Sequence, residues 1–369
     1  MKVAFCIRED YDTRGGGDVV QMLKTKFFLE KDFNDVQIEI VNSPEKLNSS
    51  FDICHIFNYS TYKITNDYFV KAKNLNLKIA SSPIYWDYKI LAYALFSKLG
   101  FHKLNKFILG FEIKVVAIFN FLFATNVLTT NKFKKRIIFF LSNSNVVLPN
   151  SEEEMDLLCQ FVRKNKENIN YKVALNASDS KQSINTNIDI FSTYKIPNDF
   201  ILQVGRIEPI KNQLSIVKAL FDRKEIPIVF IGAFSHKEYT KELKKQASKR
   251  GNVFFINEIP HSDIYEFYKK AKLHILPSLR ESPGLVSLEA ISMGCEVIVS
   301  KFPYSPYETY FRKYAYVIDP LDVDSIKKKI LEVLENKFLR NKEYSDEFSW
   351  EVTACQTYEA YKSLMNYDS

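Results

Sequence analysis

The sequence predicts two doubly wound α/β domains. Short apolar runs, each followed by Gly, Pro, Asn or Ser, alternate with helical patterns along most of the 369 residues. These runs are almost continuously apolar, which is typical of parallel strands covered by helices on both faces. The hydrophobic content of 46% suffices for a core in each of two domains, and the chain is long enough for both. A polar stretch at 176–198 interrupts the pattern and is the predicted linker.

The first domain is expected at residues 1–175. Its predicted strands are VAFCI, VQIEIV, FDICHIF, LKIASSP and NVVLP. After the first strand, Val20, Leu23 and Phe27 recur at helical spacing and predict an amphipathic helix. After the last strand, Ser151 and Glu154 have the spacing of a capping box for a further helix.

The second domain is expected at residues 199–349. Its predicted strands are FILQVG, IPIVFIG, VFFI, LHILPS and CEVIVS. An amphipathic helix is expected at about 350–369, and its apolar face is formed by Trp350, Ala354, Tyr358 and Tyr361.

Composition excludes several classes of function. The formal charge of +7 is a modest excess of 51 basic over 44 acidic residues, so we expect no nucleic acid partner. The five cysteines lie far apart in no metal-ligand spacing, which fits reduced thiols in the cytoplasm. The first residues, MKVAFCIRED, contain too few apolar positions for the core of a signal peptide. A cytoplasmic protein is therefore expected.

The most apolar stretch, residues 107–128, approaches the length of a membrane span but contains Glu112, Lys114 and Asn120. A buried core helix is the favoured interpretation. The alternative is a peripheral contact with an anionic membrane, at the inner face of the cytoplasmic membrane, because lysines flank the stretch on both sides.

The segment RESPGLVSLEA at 280–290 carries the first chemical motif. Ser282 can cap a helix and Pro283 suits the first helical position, directly after a predicted parallel strand. Ligands bind at the carboxyl ends of such strands, and the free backbone amides of Gly284 and Leu285 would face an anion there. A phosphate group is therefore the expected ligand.

Two carboxylates, Glu281 and Glu289, flank this predicted phosphate site. Carboxylates repel a phosphate, but they accept hydrogen bonds from hydroxyl groups on either side of it. A nucleotide sugar presents a ribose on one side of its diphosphate and a hexose on the other. The spacing therefore suits a nucleotide sugar.

This segment resembles the E-x7-E motif of the retaining glycosyltransferases of family 4, which have the GT-B fold of two Rossmann-like domains facing across a cleft. The resemblance implies that Glu281 contacts hydroxyls of the donor sugar and that Glu289 contacts the ribose. The family has a small residue and an aromatic before the glycine, where this chain has Ser282 and Pro283.

The segment QVGRIEPIKNQ is similar to a second motif of the family, in which an Arg and a Lys neutralise the donor diphosphate. The matching residues are Arg206 and Lys211. A leaving diphosphate gains negative charge, and fixed cations stabilise it where no divalent metal does so. The alternatives are a surface ion pair of Arg206 with Glu208 and a solvated lysine. Asn212 replaces the family's usual glycine, and asparagine tolerates the left-handed conformation.

The segment RGGGDVVQ resembles the glycine loop of the family, which faces the donor phosphates and the acceptor. Gly16 and Gly17 are its expected binding positions, and Asp18 with Gln21 predicts a capping box for the next helix. A flexible turn is the alternative. The dinucleotide and P-loop fingerprints are absent from the sequence, which argues against a dehydrogenase, an epimerase or an NTPase.

Many members of the family carry a histidine in the first domain near the donor sugar. The corresponding stretch here, SSPIYWDY, has none, and Tyr85, Trp86 and Asp87 are the candidates for its place. Trp86 is also a good candidate for the core. His55 is expected to pack beside a strand end instead of taking part in chemistry.

Two D-x-D sequences, at 10–12 and 322–324, resemble the metal site of a different glycosyltransferase fold. Such pairs are frequent by chance, and the second lies in a loop that is predicted to cap a helix. We therefore expect no metal and no cofactor.

The sequence thus predicts a retaining, metal-independent glycosyltransferase. Its donor would be a nucleoside diphosphate sugar, and its acceptor a hydroxyl of a saccharide or lipid-linked saccharide in bacterial surface polysaccharide or lipopolysaccharide biosynthesis. The alternative is a non-catalytic partner that binds nucleotide sugar and scaffolds an active transferase, because the Ser-Pro pair and the absent histidine depart from the family pattern.

Overall fold

A computed structural model describes residues 1–13, 15–86, 131–179, 188–336 and 346–365. The chain divides into two compact units. The first contains the described residues of Met1–Tyr88, Lys114–Ala177 and Asp346–Ser369. The described residues of the second lie within Ser178–Ser345.

The first unit contains a parallel five-stranded sheet in the order β2-β1-β3-β4-β5. Its strands are β1 (Lys2–Cys6), β2 (Gln37–Val41), β3 (Ile53–Phe57), β4 (Lys78–Ser82) and β5 (Val146–Val147). All five predicted strands are confirmed, although the last has only two residues. Four helices of this unit are α1 (Gly17–Asp32), α2 (Tyr62–Asn74), α3 (Asn131–Asn143) and α4 (Glu152–Val162).

Helix α1 buries a different face from the one formed by the predicted apolar stripe. Val20, Leu23 and Phe27 are 42%, 42% and 59% exposed, whereas Met22 and Leu29 are fully buried. The helix carries apolar residues on two faces, and the sheet covers only one of them. Helical spacing alone does not show which of two apolar stripes faces the core.

Helix α4 begins as predicted, with Ser151 as its N-cap. The Ser151 hydroxyl accepts the backbone N–H of Glu154 at 3.0 Å. The Glu154 carboxylate accepts the backbone N–H groups of Asn150 at 2.7 Å and Tyr85 at 2.6 Å. This buried carboxylate therefore links the start of α4 to the segment that follows β4.

The second unit contains a parallel six-stranded sheet in the order β11-β10-β9-β6-β7-β8. Its strands are β6 (Ile201–Val204), β7 (Ile228–Ile231), β8 (Val253–Ile256), β9 (Leu273–Leu276), β10 (Val297–Ser300) and β11 (Tyr316–Ile318). The first five confirm the predicted strands, and β11 was not predicted.

The α-helices formed by the described residues of the second unit lie between its strands and on either side of the sheet's first and last strands in the chain. They are α5 (Ile190–Tyr194), α6 (Gln213–Ala219), α7 (Lys237–Arg250), α8 (His261–Lys270), α9 (Leu285–Ser292) and α10 (Val323–Glu335). Helix α10 is capped by Asp322, whose carboxylate accepts the backbone N–H groups of Asp324 and Ser325. The capping role predicted for the second D-x-D sequence is therefore confirmed.

The last described helix, α11 (Trp350–Met365), belongs to the first unit. Ala354 and Tyr361 are fully buried in its core, and Tyr358 stacks on Phe33 with ring centroids 3.9 Å apart. The Thr353 hydroxyl donates to the carbonyl oxygen of Leu175 at 2.6 Å. The predicted apolar face of this helix thus packs on the first sheet and its helices.

Each sheet has a switch point at which the strand order reverses. In the first unit it lies between β1 and β3, and in the second between β6 and β9. Loops leave the two strands of a switch point in opposite directions, which opens a crevice at their carboxyl ends where ligands bind. The candidate binding residues of each unit are therefore expected at its switch point.

The helices formed by the described residues are all too short or too polar to cross a membrane. The apolar stretch at 107–128, on which the membrane contact was predicted, lies outside the described residues.

Candidate functional site

The switch point of the second unit brings Lys211 and Glu281 together. Lys211 ends a short 3-10 turn (Pro209–Lys211) after β6, and Glu281 follows β9. The Lys211 Nζ donates to Glu281 Oε1 at 2.5 Å, and the two side chains are only 18% and 9% exposed. Two residues 70 positions apart in the chain therefore form a largely buried ion pair because β6 and β9 are neighbours.

The backbone around Lys211 is held by the sheet below it. Gln203, a buried residue of β6, donates its side-chain amide to the Lys211 carbonyl oxygen at 2.8 Å. Asn212 has the left-handed conformation expected of it, with φ 57°. Its side-chain amide donates to the carbonyl oxygens of Pro277 at 3.1 Å and Pro320 at 2.9 Å. These bonds join the Lys211 turn to the loop that leads to Glu281.

Arg206 lies in the same loop, but its side chain points elsewhere. It is 61% exposed, and its Nη2 contacts Glu208 Oε1 at 3.1 Å. The surface ion pair considered from the sequence is therefore present. The Arg206 backbone is nevertheless fixed, since buried Gln213 donates to its carbonyl oxygen at 2.9 Å. An exposed ion pair contributes little free energy, so the guanidinium can leave Glu208 for a stronger anion.

Helix α9 begins later than predicted. Gly284 is its N-cap, with φ 96° and ψ 71°, and the first helical residue is Leu285. The predicted roles of Ser282 as cap and Pro283 as first helical residue are wrong, because the left-handed backbone of Gly284 separates them from the helix. The left-handed backbone at position 284 favours glycine, and a Cβ there would also make a tight contact, 3.1 Å from Leu276 Cδ2.

The predicted amides nevertheless remain at the start of a helix. The first backbone N–H groups of an α-helix have no acceptor within it, and the helix dipole adds partial positive charge. Gly284 and Leu285 therefore lie where an anion is favoured, three and four residues after Glu281 in the chain.

Glu289 is the fifth residue of α9, about one turn below its start. Its carboxylate is 10% exposed and contacts two side chains of α8. The Tyr268 hydroxyl donates to Oε2 at 3.1 Å, and His261 Nε2 lies 3.0 Å from Oε1. Sequence reasoning missed both partners, although His261 and Tyr268 are seven residues apart and so share a helix face.

The switch point of the first unit holds a second polar cluster. Asp18, near the start of α1, accepts hydrogen bonds from Arg8 Nε at 3.3 Å and from Asn58 Nδ2 at 3.0 Å. Arg8 follows β1 and Asn58 follows β3. Neither was predicted, but polar residues directly after the two central strands were the available signal.

The capping box predicted for Asp18 and Gln21 is wrong. Helix α1 begins at Gly17 with Gly16 as N-cap, and no side chain caps it. Asp18 is held by Arg8 and Asn58, and buried Gln21 instead donates to Asn150 Oδ1 at 2.6 Å.

Of the predicted binding glycines, Gly16 has a clear steric requirement. A Cβ there would lie 2.6 Å from Asp18 Oδ1, so any side chain would displace the carboxylate. A Cβ at Gly17 would meet no atom within 4 Å. The glycine loop is therefore constrained by Asp18 at position 16 and open at position 17.

The residues considered for the place of the family histidine are mostly buried. Tyr85 and Trp86 are 2% and 0% exposed, and Asp87 lies outside the described residues. His55 lies in β3 with Nδ1 2.5 Å from the Tyr361 hydroxyl and Nε2 2.9 Å from Ser82 Oγ. Burial lowers the pKa of His55 to about 3, so this histidine is neutral and structural.

In a comparison with known protein families, the match lies in the second unit. Residues 188–347 match the family described as glycosyl transferases group 1. The O-antigen chain mannosyltransferase B of Escherichia coli is 28% identical over 177 residues, 45% of this chain and 46% of that protein. The D-inositol 3-phosphate glycosyltransferase of Corynebacterium glutamicum is 25% identical over 178 residues, 44% of this chain and 43% of that protein. The matches span less than half the length of these relatives.

Solved structures resemble the chain over nearly its whole length. Sucrose-phosphate synthase from Thermosynechococcus elongatus has a TM-score of 0.72 at 14% identity, covering 99% of both chains. A glycosyltransferase from Rickettsia africae has a TM-score of 0.69 at 15% identity, covering 99% of this chain and 98% of that one. Anabaena HepE, solved with UDP, has a TM-score of 0.61 at 14% identity, covering 98% of this chain and 95% of that one. This likeness concerns the fold, and it confirms the predicted fold class.

Proposed function

We propose that this protein transfers a sugar from a nucleoside diphosphate sugar to a hydroxyl group, because residues 188–347 match the family described as glycosyl transferases group 1. The proposed acceptor is a saccharide or lipid-linked saccharide in the synthesis of a bacterial surface polysaccharide. The E. coli relative is named as an O-antigen chain mannosyltransferase, which supports this class of acceptor.

The observation that carries the proposal is the Lys211–Glu281 pair beside the start of α9. The proposed diphosphate lies at the amides of Gly284 and Leu285, with the Lys211 ammonium beside it. A cation and a helix N-terminus both stabilise the negative charge that develops as the diphosphate leaves. Arg206 would leave Glu208 and add a second cation.

The two carboxylates would orient the donor on either side of the diphosphate. Glu281 accepts hydrogen bonds from hydroxyls of the transferred sugar, and Glu289 accepts them from the ribose. The ion pair of Glu281 with Lys211 makes the position of the sugar depend on the position of the leaving group, which is useful because only a correctly aligned donor reacts.

The proposed reaction retains the anomeric configuration. The acceptor hydroxyl attacks the face that the diphosphate leaves, and the departing phosphate oxygen takes the hydroxyl proton. A bond from the acceptor oxygen to the anomeric carbon forms while the bond to the phosphate oxygen breaks. No side chain is proposed as a covalent nucleophile, and the cationic groups named above take the place of a divalent metal.

The first test is thermal stabilisation by UDP, GDP, ADP, CMP and NAD, each measured with and without EDTA. We expect one nucleoside diphosphate to raise the melting temperature, since a ligand at 100 times its Kd stabilises the folded state by about 2.7 kcal/mol. HepE was solved with UDP and with UDP-glucose, which supports including UDP.

The result of this test also separates the alternatives. A shift that disappears with EDTA would contradict metal independence. A shift with NAD alone, or with none of the five compounds, would contradict the donor site. A shift with a diphosphate, but no sugar transfer or slow hydrolysis with any matching donor sugar, would instead favour a non-catalytic partner.

A further inference from the structure

One face of helix α8 carries three aromatic side chains, and the first and last of them contact Glu289. His261, Tyr265 and Tyr268 occupy positions i, i+4 and i+7, so they lie on the same side of the helix. The rings of His261 and Tyr265 are 5.1 Å apart, and those of Tyr265 and Tyr268 are 6.3 Å apart, all edge to face. Tyr265 and Tyr268 are also buried, so their side chains have little freedom to rotate.

Tyr268 holds Glu289 from the buried side. It is fully buried, and its ring meets that of His274 edge-on at 5.6 Å. Burial, together with the nearby Glu289 carboxylate, raises the pKa of Tyr268 well above its usual value. The hydroxyl therefore keeps its proton and can only be the donor in its 3.1 Å bond to Glu289 Oε2.

His261 holds the same carboxylate from the solvent side. Its side chain is 57% exposed, whereas that of Glu289 is 10% exposed, and its Nε2 lies 3.0 Å from Oε1. The two partners thus contact different oxygens of one carboxylate. A carboxylate held at both oxygens has a fixed plane, whereas one held at a single oxygen can rotate about its last torsion angle.

The Glu289 carboxylate has more hydrogen-bond acceptor sites than Tyr268 and His261 use. An ionised carboxylate has about four lone-pair sites, two on each oxygen. Tyr268 and His261 use one site on each oxygen, so one remains on each. Two free acceptor sites in a fixed plane match the two neighbouring hydroxyl groups of a ribose.

We propose that Tyr268 and His261 are positioning residues that fix Glu289 for recognition of the 2′- and 3′-hydroxyl groups of the donor nucleotide. The proposal rests on the proposed function of the site. It concerns how the protein distinguishes a ribonucleotide from its deoxy analogues. The ratio of the two Kd values measures this preference, whereas the Kd of a single nucleotide does not.

The test compares nucleotides that differ only at the ribose. Calorimetry measures the Kd of UDP, GDP and ADP and of their 2′-deoxy and 3′-deoxy analogues for the full chain. We expect the preferred ribonucleotide to bind about 10-fold or more tightly than its deoxy analogues, as for a lost hydrogen bond to a charged group. In Tyr268→Phe this ratio should fall to about threefold or less, because the carboxylate can rotate.

Matched variants separate positioning from packing. Tyr265→Phe removes the same hydroxyl from the neighbouring ring and should keep the wild-type ratio. His261→Ala should lower the ratio, and His261→Gln, whose side-chain amide can donate from a similar position, should restore it. Because His261 is exposed, these two variants remain informative even if Tyr268→Phe does not fold.

The possible outcomes are distinct. Wild-type ratios in both Tyr268→Phe and His261→Ala would overturn the proposal, whatever happened to overall affinity. A wild-type protein that binds a diphosphate without preferring the ribose form would overturn it too, but would leave the proposed function standing. If no nucleoside diphosphate bound to the wild-type protein, both would fail.

Discussion

Lys211 and Glu281 depend on each other for stability as well as for the proposed chemistry. Their side chains are 18% and 9% exposed, so each charge relies on the other for compensation. Removing one partner of a buried pair leaves an unpaired charge and costs about 3 kcal/mol or more, whereas replacing both by apolar residues is often neutral. Stability and activity should therefore respond differently to single and double substitutions.

We predict that Lys211→Met and Glu281→Gln each lower the rate of sugar transfer by about 100-fold or more. The double variant Lys211→Met with Glu281→Leu should recover much of the lost unfolding free energy but none of the rate. Urea unfolding and initial rates measure the two quantities. The exposed pair of Lys327 with Asp222 provides the control, and Lys327→Met should change neither. Near-normal transfer by Glu281→Gln would show that its assigned role is wrong.

The residues of the candidate site differ in how well the sequence alone predicts them. Lys211 and Glu281 lie in loops after strands, and Glu289 lies in the helix that follows Glu281; all three belong to recognisable motifs, so their types and spacing are informative. Tyr268 and His261, the partners of Glu289, come from another helix, and their contact with Glu289 depends on how α8 packs against α9. A sequence pattern shows the face on which such residues lie but does not show what that face meets.

Helix α1 has two apolar faces, and only one supports the fold. Met22 is fully buried, while Phe27 on the other face is 59% exposed. The free energy of burial comes from surface removed from water, so residues of similar hydrophobicity on the two faces contribute very differently.

We therefore predict that Met22→Ala lowers the unfolding free energy of the first unit by about 2–5 kcal/mol. Phe27→Ser should change it by less than about 0.5 kcal/mol, because the side chain is already largely in water. Chemical denaturation with each variant measures the difference. A cost for Phe27→Ser comparable to that for Met22→Ala would mean that the outer face of α1 is covered in solution.

Element boundaries were the least predictable feature of the site. Ser282 and Pro283 are standard signals for a helix start, yet the helix begins only after Gly284. The deciding factor is the left-handed backbone at Gly284 beside Leu276, and this depends on tertiary contact. By contrast, strands buried on both faces are short but almost continuously apolar in sequence, and these runs predicted the strands well in both units.

At the scale of the molecule, the described part of each unit contains one fully buried histidine in a central strand. Burial lowers the pKa of His55 in β3 and of His274 in β9 to about 3 in each case. In the unfolded chain the pKa of histidine is about 6.5. Above that value both states are neutral, and between about 6.5 and 3 only the unfolded chain binds the protons.

We predict that the unfolding free energy falls as the pH drops below about 6.5, by about 2 kcal/mol for each histidine at about pH 5. Urea unfolding at several pH values measures this dependence. Replacing both histidines by asparagine should lower stability at neutral pH but flatten its decline in acid. An equally steep decline in that double variant would assign the acid sensitivity to other groups.

The doubly wound architecture follows from sequence because alternating apolar runs and helical patterns leave few other topologies. Strand β11, with only three residues, was missed because a run of that length resembles a loop. The order of the strands, and hence the two switch points, arises from which strands pair and is not visible in the runs themselves.

The position of α11 has a consequence for how the protein is made. Its residues complete the core of the first unit, although residues 178–345 of the second unit precede it in the chain. During translation the second unit therefore leaves the ribosome in full while the first still lacks Ala354, Tyr361 and Leu364 from its core. Until the last helix emerges, the nascent chain exposes the apolar surface that this helix will cover, and it does so for the time needed to synthesise about half of the sequence.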